Sequence, residues 1–189
     1  ILYNFQLMKL AGEDGIAAYG VIMYINIIFM SIFLGYSIGS APVVSYHYGA
    51  GNHSELKNLF HKSQTFLMLS GVLLLVASES LARPLSAIFV NYDAALLDMT
   101  VRGFRIYSLA FLIMGINVWG SSFFTALNNG LVSAVISFLR TLVFQIVVIM
   151  ILPVLLGVDG IWFSIVAAEV MALFVTVGFL FMNRRKYHY

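Results

Sequence analysis

The chain has no cysteine among its 189 residues, only three prolines, and charged side chains at only 10% of positions. Without cysteine there is no disulfide, no thiolate metal site and no cysteine nucleophile. The soluble catalytic signatures are missing too: there is no HExxH pair, no GxSxG elbow and no glycine-rich phosphate loop. His47, His53, Glu55 and His61 crowd one stretch, but at a spacing that fits no zinc motif, so no metal is expected. Net charge is only +2 and the sole basic cluster, Arg184-Arg185-Lys186, closes the chain, which excludes a nucleic-acid surface.

Apolar residues make up the rest. They account for 61% of the chain, mean hydropathy is +0.97, and they come in long runs rather than in the mixed pattern of a water-soluble core. This reads as an all-α integral membrane protein that needs no cofactor. The charge-free run from Gly15 to Ser54 would extend well past a hydrocarbon core of about 30 Å. It therefore has to tilt, kink at Pro42 or protrude.

The turns punctuate the runs. Residues 1–10 are too short to span and read as the tail of a helix already under way; with Ile at position 1 and no basic leader, the sequence is expected to be a fragment. A turn at 11–15 feeds a helix over 16–46, and the glycines of His47-Tyr48-Gly49-Ala50-Gly51-Asn52 break it. The next helix is expected over 55–78, ended by Glu79, Arg83 and Pro84. Residues 83–105 are amphipathic and suit an interfacial segment. Spans follow at 106–127, 131–156 (with Pro153 near its end) and 161–182, separated by Asn128-Asn129-Gly130 and Gly157-Val158-Asp159-Gly160. The count is five complete transmembrane helices plus a partial first one. Placing the tail in the cytoplasm puts Lys57, Lys62, Arg140, Arg184, Arg185 and Lys186 inside against Lys9, Arg83, Arg102 and Arg105 outside, a basic-inside bias.

Two charges fall within the spans. Glu169 lies nine residues past Gly160, about 13 Å along its helix and close to the midplane. It reads either as a proton or cation site or as a polar clamp bonded to hydroxyls of a neighbouring helix. Arg140 is nearer a helix end and is expected to anchor the helix by snorkelling to the interface. Asn4, Gln6, Asn26, Ser37, Asn117, Ser121, Ser122 and Gln145 must line a cavity or bond across helices. Tyr19, Tyr24, Phe29, Tyr36, Phe111, Trp119, Phe123 and Phe124 supply ring faces, by packing or as a wall for flat organic cations.

Gly-Ser-Ala-Pro-Val-Val-Ser-Tyr-His-Tyr-Gly-Ala-Gly-Asn (39–52), followed by a lysine-bearing helix, resembles the loop after the eighth helix of the multidrug and toxic compound extrusion (MATE) transporters. Glu13-Asp14-Gly15-Ile16-Ala17-Ala18-Tyr19-Gly20, Ser137-Phe138-Leu139-Arg140 and Gly157-Val158-Asp159-Gly160-Ile161-Trp162 agree in order and spacing with that family's later turns and helices. The chain departs from it at Ala41 and His47, where many relatives carry Gln and Asn. The resemblance implies the C-terminal six-helix lobe of a twelve-helix, two-lobe antiporter, late helix seven to helix twelve. Such a protein exports drugs and organic cations across the plasma membrane against a proton or sodium gradient. It also implies a substrate cavity between lobes, lined here by Asn4, Gln6, Asn26, Tyr36, Asn117 and Phe124, with Pro42 as a flex point. The coupling acid would be Glu169 or, preferably, an acid of the other lobe. The alternatives are a lipid-linked oligosaccharide flippase of the same superfamily, which wants a more basic cavity, and a structural membrane subunit. A membrane-embedded enzyme lacks any paired catalytic groups.

Overall fold

The computed structural model describes residues 1–189 and is helical throughout. Helix α1 covers Leu2–Gly49, but Gly12 breaks it, with φ 65° and ψ −152°. Only glycine adopts that geometry cheaply, so a short helix over 2–11 turns into a long one from 13 onward. The long part runs through Pro42 with helical dihedrals. Pro42 is exposed, and its neighbours are tied to a later helix, α4 (Phe111–Ala126). The Ser122 hydroxyl donates to Ser37 O (3.2 Å), Trp119 Nε1 to Ser40 Oγ (3.1 Å), and the Ser45 hydroxyl to Ala126 O (2.9 Å).

Helix α2, His53–Val90, starts on Asn52, whose side chain accepts from Glu55 N. It continues six residues beyond Pro84, past the expected stop. A seam of Leu67, Gly71, Leu74, Ser78, Ala82, Ser86 and Val90 stays buried along this length, while Pro84 faces outward. Packing of the seam offsets the local penalty of about 3 kcal/mol that proline imposes on a helix interior.

Helix α3, Ala94–Ser108, is capped by Asp93, whose carboxylate accepts from Ala95 N (2.8 Å) and Leu96 N (3.1 Å). It is bent 51° from α4. The segment expected at the interface is thus divided between the last turns of α2 and α3. The apolar side of α3, including Leu97, Phe104 and Tyr107, packs into the core. The span expected over 106–127 falls on the end of α3 and on α4, with the bend at Leu109 and Ala110, while at Gly103 the missing β-carbon lets Trp162 lie against the α3 backbone.

Helix α5 (Gly130–Phe138), a π-helical turn (Leu139–Val143) and α6 (Phe144–Leu156) form one continuous rod with Pro153 inside it. Gly157, at φ 61°, reverses the chain into α7 (Val158–Tyr187). Four of these helices are long and apolar enough to cross a membrane, five if the bent α3–α4 pair is one span. The core runs between them through Phe33, Phe111, Trp119, Phe123 and Trp162.

Candidate functional site

Three helices bring polar side chains to one buried point. Arg140 lies in the π-helical turn, where Phe144 N bonds Leu139 O five residues back instead of four. Such a turn carries one extra residue and re-aims what it holds. Arg140 consequently points at α7: its Nη2 lies 2.7 Å from Glu169 Oε1, and its Nε lies 2.9 and 3.0 Å from the two carboxylate oxygens. Asn117, on α4, donates from Nδ2 to Glu169 Oε2 (2.7 Å) and to the Glu169 carbonyl (2.9 Å). The side chains of Arg140 and Glu169 are 13% and 3% exposed.

This corrects the expectation for Arg140. It does not snorkel to an interface, because a buried carboxylate within reach outweighs the gain of reaching water. The clamp reading of Glu169 expected hydroxyl partners, whereas its partners here are a guanidinium and an amide.

Two clefts flank the pair, and Arg140 and Met30 border both. The first, about 550 Å³, is walled by Tyr3, Tyr19, Gln145 and Glu169. Tyr3 and Tyr19 stack with centroids 5.3 Å apart and planes 7° from parallel, and the Tyr3 hydroxyl donates to Gln145 Oε1 (2.6 Å). The second, about 280 Å³, is walled by hydroxyls and amide, with Ser37, Asn117, Ser121 and Ser137 around it. Ser121 Oγ lies 2.7 Å from Ser137 Oγ, while Asn117 Oδ1 and Ser37 Oγ are buried without a hydrogen-bond partner.

The other expected site residues scatter. Asn4 is exposed and borders neither cleft. Gln6 donates to Ile149 O (3.3 Å), tying the first short helix to α6. Asn26 is half-buried with an unpartnered Oδ1, away from both clefts. Tyr36 stacks on Phe66 at 4.3 Å and donates to Ser63 Oγ, so it joins α1 to α2. Phe124 is fully buried in the core, which leaves it no ring face for a substrate. Pro42 borders neither cleft. Of the six residues expected to line a substrate cavity, only Asn117 borders either of these clefts. Tyr3, Met30 and Ser137 were missed. Met30 carries no signal in an apolar run, whereas the paired requirements of two intramembrane charges point directly to Arg140 and Glu169 as partners.

No curated protein matches the chain. Solved structures do, at identities that show the fold alone. An outward-facing multidrug resistance MATE family transporter of the MOP superfamily matches at TM-score 0.91 and 19% identity over 98% of this chain. A MOP superfamily transporter from Pyrococcus furiosus, described by a binding pocket of reversed polarity suggesting a different function, matches at 0.90 and 18% over 100%. The bent form of the Vibrio cholerae MATE transporter VcmN matches at 0.89 and 16% over 97%. The chain spans about two fifths, 42%, of the length of each of these. The family model MatE matches residues 1–151, four fifths of the chain, and the chain belongs to that family of membrane transporters.

Proposed function

We propose that this chain is the C-terminal lobe of a two-lobe antiporter that exports drugs and organic cations across the plasma membrane, coupled to proton or sodium entry. The observation that carries this reading is the first cleft, where two stacked tyrosines present a flat π face beside a buried ion pair. A ring face attracts a delocalised cation without demanding a fixed geometry. The pair itself is neutral, because Arg140 and Asn117 occupy the Glu169 oxygens. Glu169 then acts as a clamp between α4, the π turn and α7, and the coupling acid lies in the other lobe. Asn4, exposed on this lobe, and Asn117, at the second cleft, are the polar residues left to meet a substrate. Pro42 would flex only if α1 were released from α4. A cytoplasmic tail is supported by the five Lys and Arg gathered at the end of the lobe that carries it. A flippase for anionic lipid-linked sugars is disfavoured, since the only intramembrane guanidinium is already neutralised.

The test follows efflux of a fluorescent organic cation from proteoliposomes holding the full-length protein, under an imposed proton or sodium gradient. Replacing both members of the pair, Arg140→Gln with Glu169→Gln, is expected to leave gradient-driven efflux in place. Loss of gradient dependence with downhill movement retained would make Glu169 the coupling residue. No movement of the cation under either gradient would sink the efflux reading.

A further inference from the structure

The charges of this lobe are divided unequally between its ends. At the end with the Gly12, Asn91 and Gly157 turns, six carboxylates face four basic residues, and Arg83–Asp98, Arg102–Asp159 and Arg105–Glu79 form ion pairs. At the opposite end, Lys57, Lys62, Arg184, Arg185 and Lys186 face a single carboxylate, Glu55, and none of the five is ion-paired.

One of these unpaired charges stands over a groove. Between the first half of α2 and the last turns of α7 lies a cleft of about 310 Å³, bordered by Phe60, His61, Gln64, Val177, Phe181 and Arg184. A second hollow of about 500 Å³ continues it past Phe181 and Arg184 to Arg185. Gln64 contributes a donor in need: its Nε2 is shielded from solvent and has no acceptor within the chain. A buried amide left unpaired in this way costs free energy that a bound oxygen would recover.

Below Arg184 the surface becomes apolar. Val170, Phe174, Val177 and Phe181 recur at helical spacing on the outer side of α7, exposed by 39, 75, 48 and 77%. From Val170 to Phe181 the stripe is about 16 Å long at 1.5 Å per residue, close to half of a hydrocarbon core of about 30 Å. The groove thus offers a fixed positive charge at the end of α7, an unpaired donor on α2 and, along α7, an apolar track one leaflet deep.

We propose that this groove binds one anionic phospholipid of the surrounding bilayer. Its phosphate sits at Arg184, an ester or phosphate oxygen satisfies Gln64 Nε2, and one acyl chain lies along Phe181, Val177 and Phe174. Arg184 supplies charge complementarity, and the stripe excludes a freely soluble anion as the preferred occupant. The site shares no residue with either cleft of the Arg140–Glu169 pair.

Native mass spectrometry of the full-length protein, titrated with phosphatidylglycerol, phosphatidylcholine or inorganic phosphate, tests it. One phosphatidylglycerol is expected to be retained in preference to phosphatidylcholine. Arg184→Gln should weaken that retention about fivefold, the worth of one basic side chain near a lipid phosphate. Lys57→Gln, at the same end but outside the groove, should leave it unchanged. Val177→Trp fills the track without altering charge and should release the lipid as well, which keeps the test decisive if Arg184→Gln fails to fold. Equal losses from Lys57→Gln and Arg184→Gln would overturn the site in favour of a diffuse basic surface. Equal retention of phosphatidylcholine, or displacement of the lipid by inorganic phosphate, would overturn it too.

Discussion

Removing Arg140 alone should damage this protein more than removing Arg140 and the charge of Glu169 together. Arg140→Met deletes the guanidinium and leaves a carboxylate 3% exposed with Asn117 as its one remaining side-chain partner. Breaking a buried pair from one side costs about 3–5 kcal/mol, because the stranded charge is neither solvated nor paired. The surviving Asn117 bond, and the partners a carboxylate also finds in an unfolded chain within lipid, place the expected loss at the lower end, about 3 kcal/mol. For a 189-residue unit melting on its own that corresponds to a fall in Tm of about 6–12 °C, and to proportionally less where the rest of the full-length protein melts with it. In Arg140→Met with Glu169→Gln, the neutral amide can still accept from Asn117, so the loss should shrink to about 1 kcal/mol or less. Thermal unfolding of the full-length protein in detergent, followed by intrinsic fluorescence, measures all three forms. The sign of the coupling is the decisive quantity. A double variant melting at or below the Arg140→Met single variant would refute the reasoning, since the two side chains would then not be spending their charge on one another.

Several weaker or stronger positions can be ranked in the same melting assay. Gly71→Ala sets a β-carbon 2.7 Å from Phe111 O and 3.1 Å from the Leu112 α-carbon, both backbone atoms, and should cost about 1–3 kcal/mol; an unchanged Tm would mean α2 and α4 are not in contact there. Asp93→Ala removes the acceptor for two amides at the start of α3 and should cost about 1 kcal/mol, recoverable by Asp93→Asn. Arg83→Ala breaks a pair whose two side chains are each 67% exposed, so a loss above about 1 kcal/mol would contradict its exposure.

The turns of this chain were legible because they depend on backbone chemistry that few residues allow. Gly12 and Gly157 sit at positive φ, as does Asn128, and each falls where glycine and asparagine interrupted an apolar run. Pro84 misled for the opposite reason. Its local penalty can be read from the sequence, whereas the packing of the α2 seam that outweighs it is made against other helices.

Depth and direction also separate. Counting residues from Gly160 gave the position of Glu169 along its helix, but nothing in the count says which way a side chain points. In a water-soluble protein the apolar face supplies that answer. Here Ile22 and Ile25 are buried while Ile27 and Ile28 are about two thirds exposed on the same helix, and lipid welcomes both pairs equally. Apolar residues therefore fix where α1 lies in the bilayer without fixing its rotation. Only side chains that hydrocarbon rejects carry rotational information, and they carry it jointly, because each is tolerable only when turned toward another. Arg140 looked like an anchor when considered alone. Considered with Glu169 and Asn117 it has one low-energy direction, inward, and the extra residue of the π turn is what lets the helix supply it.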